Sequence, residues 1–194
     1  MALVLGLGNP GERYARTRHN VGFRVLDALR PRLEAREGER HPDYREWVAE
    51  HRGKPVVMLM PLTFMNRSGE ALAAWRERHP DAGEELLVVA DDVYLPLGVV
   101  RLRPEGSSGG HRGLESIEAA LGGARFARLR VGIGPAEGQG LRAYVLEEPA
   151  PDEAAAMEQA IGVAADAVEC WLGEGMLSAM NRFNRRVRKE APKS

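Results

Sequence analysis

Apolar residues occur in short runs along the chain, and glycine, proline or charged residues bound each run. Runs of this length and isolation are typical of buried β-strands. Buried strands are predicted at 2–5, 56–60, 86–90 and 129–133. Weaker patterns predict an outer strand at 95–103, another strand at 141–146, and a short strand near 47–49 within an otherwise irregular, charged stretch at 36–55.

Apolar residues three or four positions apart predict helices between these strands. The predicted helices begin near Asn20, Ser68, Leu114, Pro151 and Met176. Pro31 is expected to kink or end the first helix near Arg30, and glycine pairs end the third and fourth at 122–123 and at 173 and 175. Strands that alternate with helices predict an α/β fold with a central mixed, largely parallel sheet flanked by helices, and with C-terminal helices. Without a long linker, one domain is expected over 1–190, followed by a short tail at 191–194.

Composition narrows the class of protein. The 194 residues are 44% hydrophobic and 28% charged, with a net charge of −1, as in a typical globular protein. No apolar run reaches the roughly 18–20 residues of a membrane helix, and no charged region precedes the first apolar run as in a secretory signal. Cys170 is the only cysteine, so neither a disulfide nor a cysteine zinc site is expected. These features predict a cytoplasmic protein that does not bind membranes.

The stretch Gly6-Leu7-Gly8-Asn9-Pro10-Gly11 matches G-x-G-x-x-G, the dinucleotide-binding pattern. That pattern needs a helix at its third glycine, but 12–20 lacks helical periodicity and Pro10 interrupts the motif. The acidic residue expected about 20 positions on is also missing, since Asp27 lies within a helical pattern. A nucleotide-dependent oxidoreductase is one alternative, but the motif favours a tight turn that exposes Asn9.

Polar side chains follow three of the predicted buried strands, where α/β proteins form their sites. Asn9 and His19 follow the first strand, Asn66 the second and Asp91 the third. If these strands are neighbours, the four side chains face one crevice. His19 can then remove a proton from water while Asp91 orients its ring, and the two amides can hold the substrate or an oxyanion. Since no serine is assigned as a nucleophile and Cys170 is assigned to the core, direct attack by water is predicted.

Each of these residues also has a purely structural interpretation. His19 alone is typical of a surface or capping residue, Asn66 of a helix cap, and Asp91 of the start of a turn. Phe64 is either a core residue or an exposed ring that stacks on a base. No pair of histidines has the helical H-x-x-x-H spacing, so no metal site is predicted.

Two basic or glycine-rich segments are candidates for contact with nucleic acid. The loop at 106–113 precedes a predicted helix, where backbone amides and Arg112 can bind a phosphate; a flexible hinge is the alternative. The loop lacks the Gly-Lys-Ser/Thr ending of a P-loop. The tail forms a basic patch or a solvated helix face with Arg182, Arg185, Arg186, Arg188 and Lys189.

Four motifs in sequence resemble the signatures of the bacterial-type peptidyl-tRNA hydrolases. They are G-L-G-N-P-G-x-x-Y-x-x-T-R-H-N at 6–20, F-M-N-x-S-G at 64–69, D-D/E-x-x-L-P-x-G at 91–98 and G-S-x-G-G-H-x-G-L at 106–114, and R-V-G-I-G at 130–134 matches a further element. The resemblance covers almost the whole chain. It implies hydrolysis of the ester between a peptide and the 3′ ribose of tRNA, in translation, by a generally monomeric protein without a cofactor.

The resemblance also implies residue roles. His19 is the general base for the attacking water, and Asp91 is the carboxylate that holds it in its basic form. Asn66 positions the substrate, the water or the oxyanion, and Asn9 distinguishes a blocked peptidyl group from a free aminoacyl group. The expected substrate and tRNA contacts are Tyr14, Phe64, Asn66, His111 and Arg112.

Three positions depart from the family pattern. Arg112 stands where asparagine often follows G-G-H, Tyr94 where a second acidic residue is usual, and 135–138 where lysines and Arg or His are common. The amide role is therefore not carried over to Arg112. Alternative phosphate ligands are Arg101, Arg103, Arg125, Arg128 and Arg142. The alternative function is a tRNA- or RNA-binding module without catalysis.

Overall fold

The computed structural model describes residues 1–82, 84–136 and 140–184. The strands of this part of the chain are β1 Ala2–Gly6, β2 Arg36–His41, β3 Tyr44–His51, β4 Lys54–Pro61, β5 Glu85–Asp92, β6 Val100–Arg103 and β7 Ala127–Gly132. The helices are α1 Val21–Arg32, α2 Ser68–Arg78, α3 Arg112–Leu121, α4 Leu141–Val145, α5 Ala154–Glu174 and α6 Met176–Phe183. Short 3-10 turns occupy Glu12–Tyr14, Arg18–Asn20 and Met65–Arg67.

The strands form one sheet in the order β2-β3-β4-β1-β5-β7-β6. The four central strands, β4, β1, β5 and β7, run parallel, whereas β2 and β3 on one side and β6 on the other pair antiparallel. The predicted α/β class with a mixed sheet is confirmed, and parallel pairing is confined to its centre. Both faces are covered, by α1, α5 and α6 on one core and by α2 and α3 on the other.

The charged stretch at 36–55 differs from its prediction. It contains two strands, β2 and β3, rather than a loop with one short strand. The strand β2 lies at the edge of the sheet and is mostly exposed. An exposed edge strand does not need alternating apolar residues, so its sequence lacks the pattern from which strands are predicted. Only Tyr44, Glu46 and Trp47 on β3 are buried.

The segment at 141–146 was predicted as a strand, and that prediction is wrong. It forms the short helix α4, in which Tyr144 and Val145 are buried and Leu141 is exposed. A run of six residues is too short for a period of two to be separated from a period of 3.6.

Helix ends follow the sequence signals closely. Pro31 lies in the last turn of α1, where one lost backbone hydrogen bond matters little, so the helix continues to Arg32. Gly122 ends α3 in the left-handed conformation at φ 69°, and Gly175 ends α5. Beyond Arg182 the predicted basic tail, with Arg185, Arg186, Arg188 and Lys189, lies outside the described residues, as does the division at 190.

Cys170 is a free thiol buried in the core, as its pattern predicted. Among the described helices, none combines the length and the apolarity required to cross a membrane. The fold is therefore organised by two apolar cores around one sheet, and its polar features gather at one end of the central strands.

Candidate active site

The three strands that carry the predicted site are neighbours, in the order β4-β1-β5. Their carboxyl ends open into a crevice of about 680 Å³, within the usual range of ligand sites. All eight predicted site residues line this crevice: Asn9, Tyr14, His19, Phe64, Asn66, Asp91, His111 and Arg112. They include Asn9, His19, Asn66 and Asp91, the four side chains that were expected to face one crevice.

The first glycine motif brings α1 against the sheet. A Cβ atom on Gly22 would lie 2.4 Å from the Leu7 nitrogen and 2.6 Å from the Val89 oxygen, and one on Gly6 would lie 2.5 Å from the Gly22 oxygen. Backbone therefore touches backbone where α1 crosses β1 and β5. This contact sets the 3-10 turn that precedes α1, with His19, at the mouth of the crevice.

Asn9 is held by the side chain of Asn20, the residue near which the first helix was predicted to begin. Asn20 does not cap α1; its Oδ1 accepts from the Asn9 amide at 2.8 Å, and its Nδ2 donates to the Asn9 carbonyl at 2.9 Å. The Asn9 Oδ1 in turn accepts from the Met65 amide at 2.9 Å. These bonds fix the orientation of the Asn9 amide and leave its Nδ2 as the available donor at the crevice.

His19, Asp91 and His111 form the polar centre of the crevice. The His19 Nδ1 and the His111 Nε2 each lie 2.8 Å from the same carboxylate oxygen, Asp91 Oδ1. A carboxylate only accepts, so both ring nitrogens carry hydrogen and donate to it. The His19 Nε2 then bears a lone pair, and it has no hydrogen-bond partner among the described residues. That atom is a base presented to the crevice.

The tautomer of His111 is set by α3. The Gly113 and Leu114 amides at the start of the helix donate to the His111 Nδ1 at 3.1 and 3.3 Å. Since Nδ1 accepts these bonds, the ring is neutral and its single hydrogen is on Nε2, facing Asp91. The His111 ring thus connects α3 to the central carboxylate, and its expected contact with tRNA stays a prediction.

Asp91 is only 2% exposed. Burial by itself raises the pKa of its carboxyl group, but the electrostatic attraction and the hydrogen bonds of the His19 and His111 N–H groups outweigh burial and hold that pKa well below its usual range. The carboxylate therefore stays charged at every pH at which the protein is expected to work.

Asp91→Asn is expected to remove an acid-sensitive part of the stability. Because the folded-state pKa of Asp91 lies below its ordinary value of 3.8, its charge stabilises the fold fully above about pH 5, and this stabilisation is lost progressively as the pH falls below about 4. In thermal unfolding from pH 7 to pH 3, the difference in Tm between wild type and variant should be constant above pH 5 and narrow below pH 4.

Asp81→Asn is a suitable control, since Asp81 is exposed and has no ion pair within the described part of the chain. Its difference in Tm from wild type should stay near zero throughout. A difference for Asp91→Asn that persists unchanged to pH 3 would contradict the role assigned to the charge.

The donor atoms of His19, Asp91 and His111 lie within 4.8 Å of one another, as in many metal sites. The protonation state of the rings argues against a shared ion. His111 could bind a metal through Nε2 only if its hydrogen moved to Nδ1, which already faces two backbone N–H groups. The three residues fit a hydrogen-bonded acid–base group better than a metal centre.

The rim of the crevice carries the remaining predicted residues. Phe64 is 50% exposed, so its ring is not a core residue and is available for stacking. Asn66 is exposed on the 3-10 turn after β4, and its side chain has no partner among the described residues. Tyr14 is half-buried, with the Arg13 guanidinium 4.5 Å above its ring.

A model of the family described as peptidyl-tRNA hydrolase matches residues 3–192. The chain belongs to the peptidyl-tRNA hydrolase family. It is 46% identical over 188 residues to the peptidyl-tRNA hydrolase of Chloroflexus aggregans, covering 95% of this chain and 99% of that protein, and 48% identical to that of Chloroflexus aurantiacus with the same coverage. The crystal structure of peptidyl-tRNA hydrolase from Acinetobacter baumannii superposes with a TM-score of 0.86 at 34% identity, covering 95% and 94% of the two chains.

The second glycine loop of this peptidyl-tRNA hydrolase family member is anchored, which argues against the predicted phosphate site. The Arg130 Nη2 donates to the carbonyls of Ser107 and Ser108 at 2.7 and 3.0 Å, and the Arg128 Nη1 donates to the Ser107 carbonyl at 3.0 Å. The Gly113 and Leu114 amides, which a phosphate would need, already donate to His111. The amides at the start of α3 are therefore already used and the loop is anchored at Ser107 and Ser108, whereas a phosphate contact by Arg112 stays a prediction.

Arg128 was one of the alternative phosphate ligands, and that prediction is wrong. Arg128 is 1% exposed, and its guanidinium is used by Ser107, Glu118 and the carbonyl of Ala124. Arg142 lies on the crevice, on α4.

Sequence reasoning missed the wall formed by α4. Leu141, Arg142, Val145 and Leu146 all line the crevice. The segment is held by Arg18, which stacks 4.2 Å from the Tyr144 ring and donates to the Glu153 Oε2 at 2.5 Å. The T-R-H-N motif placed Arg18 beside His19, but a contact across more than 120 residues leaves no local signal.

Proposed function

We propose that the protein hydrolyses the ester bond between the peptide and the 3′ ribose of peptidyl-tRNA and so recycles tRNA for translation. The observation that carries the proposal is the His19 ring, whose Nδ1–H donates to the buried Asp91 while Nε2 faces the crevice without a partner among the described residues. Membership of the peptidyl-tRNA hydrolase family supports the same reaction.

In the proposed mechanism, His19 Nε2 removes a proton from a water molecule as its oxygen attacks the ester carbonyl carbon. The imidazolium that forms is balanced by the charge of Asp91, 2.8 Å from Nδ1. The tetrahedral intermediate then breaks its bond to the ribose 3′ oxygen, and His19 returns the proton to that oxygen. The products are the free peptide carboxylate and tRNA with an intact 3′ hydroxyl group.

The two asparagine amides are proposed to hold the substrate during this step. Asn9 is the more constrained, because its Oδ1 is bonded to Met65 and its backbone to Asn20. Its Nδ2–H group is therefore preorganised to donate to a carbonyl oxygen. Asn66 lies on the rim and adds a second amide, and Phe64 and Tyr14 offer rings for the terminal bases of tRNA.

A non-catalytic RNA-binding module is not favoured. Binding alone does not require a buried carboxylate that orients two imidazole rings, and desolvating that carboxylate would oppose folding without its partners. We also propose that the protein is a monomer, that it acts in the cytoplasm, and that it contacts the acceptor end of tRNA.

The test is release of the acyl group from N-acetyl-aminoacyl-tRNA, compared with the same tRNA that carries a free amino acid. Hydrolysis of the acetylated substrate, well above hydrolysis of the free form, is the expected result. A chelator should leave the rate unchanged, since the His111 tautomer disfavours a metal. Failure to release the acyl group under any of these conditions would refute the proposal.

A further inference from the structure

Three cationic side chains line the crevice without a carboxylate partner. Arg13, Arg112 and Arg142 are exposed, and none of them forms an ion pair with any described residue. Guanidinium groups stay charged at all physiological pH values, and their planar shape matches a carboxylate or a phosphate.

The acidic side chains of the crevice do not offset these charges. Asp91 accepts from two histidines, and Asp92 accepts from the Tyr94 amide at 2.8 Å and from Arg130 at 3.1 Å. The negative charge of Asp92 and the positive charge of Arg130 cancel. The crevice therefore holds an excess of positive charge, which favours an anionic group on whatever binds there.

Two of the positions that depart from the family pattern change the charge in the same direction. Arg112 adds a positive charge where an asparagine is common, and Tyr94, 77% exposed on the crevice, replaces an acidic residue. Both departures make this crevice more positive than the pattern alone would.

Arg142 has surroundings that suit a peptide. Leu141, Val145 and Leu146 adjoin it in sequence and line the same crevice, as does Val93 after β5, and all four side chains are apolar. An apolar wall with a single cation fits a peptide that has an acidic side chain among apolar ones. Contacts to a phosphate backbone come from arginine, lysine and polar side chains and from backbone N–H groups, and apolar side chains add nothing to them.

We propose that Arg142 selects peptidyl-tRNAs whose peptide carries an acidic side chain near the ester, and that Arg13 and Arg112 strengthen this preference through their charge. The inference rests on the proposed hydrolysis of peptidyl-tRNA and adds a class of peptide to it.

The test uses two substrates with the same tRNA and the same alanine at the ester, which differ only in glutamate or glutamine at the preceding position. The measured quantity is the ratio of the two kcat/KM values, so tRNA binding cancels. Wild-type protein is expected to favour the glutamate substrate by about fivefold, the size of one partly exposed ion pair. Arg142→Gln should bring this ratio to about one.

Arg36→Gln is the matched control, because Arg36 is exposed on β2, at the far edge of the sheet, and does not line the crevice. It removes the same charge from the protein and should retain the wild-type ratio. A wild-type ratio near one overturns the inference. Equal losses on both substrates in Arg142→Gln also overturn it and assign Arg142 to tRNA phosphates. Absence of hydrolysis of either substrate by wild type would overturn the proposed function as well.

Discussion

His19→Asn is expected to lower kcat for N-acetyl-aminoacyl-tRNA by about 10²- to 10⁴-fold, the contribution of a positioned general base. Asparagine can keep the hydrogen bond to the Asp91 Oδ1, because its Nδ2 takes the place of the ring Nδ1. It has no counterpart of the Nε2 lone pair, so the water loses its proton acceptor. Single-turnover kinetics with saturating protein would measure the chemical step, and KM should change little.

His41→Asn is the matched control for this variant. His41 lies on β2 at the outer edge of the sheet and stacks on Tyr44, and it does not line the crevice. Its rate should match that of wild type. If His19→Asn slowed the reaction less than about tenfold, His19 would not be the base that a reaction of this class requires.

Gly22→Ala is expected to destabilise the fold by about 3 kcal/mol or more, as overpacking against backbone does. The added methyl group would lie 2.4 Å from the Leu7 nitrogen and 2.5 Å from its oxygen. Neither atom belongs to a flexible side chain, so α1 must move away from β1. Urea unfolding, followed by circular dichroism, measures this change in the free energy of unfolding.

Gly162→Ala, in the middle of α5, is expected to stabilise the fold. A Cβ atom there meets no other atom within 4 Å, so the variant should be about 0.5–1 kcal/mol more stable than wild type. The same chemical change is thus expected to have opposite signs at the two positions. Similar destabilisation of both variants would contradict the packing role assigned to Gly22.

The side chains expected in the site meet in one crevice where polar residues follow buried apolar runs. Asn9, Asn66 and Asp91 each come after a strand of the parallel centre, and parallel strands end at one edge of a sheet. That inference needed only that the three strands be neighbours. Predictions failed where the local pattern was short or exposed, as at α4 and β2, because periodicity is informative only over a long, half-buried segment.

The two glycine motifs show a different limit of prediction from sequence. Both resemble loops that bind phosphate, and both serve other purposes in this fold. The first lets α1 approach the sheet at Gly6 and Gly22, and the second is fastened by Arg128 and Arg130. A glycine pattern indicates that another group approaches the backbone closely. It does not identify that group, which belongs to a segment distant in sequence.

The amino-acid sequence was sufficient for the α/β class, for most helix and strand boundaries, and for the side chains that meet in the crevice, because these depend on local periodicity and on strand ends. Three features of the site required the tertiary structure. They are the tautomers of His19 and His111, the bonds of both rings to one oxygen of Asp91, and the α4 wall held by Arg18. The bonds to Asp91 and the contacts of Arg18 depend on atoms brought together from segments distant in sequence. A hydrogen bond of that kind leaves no repeat, run or spacing by which it could be recognised beforehand.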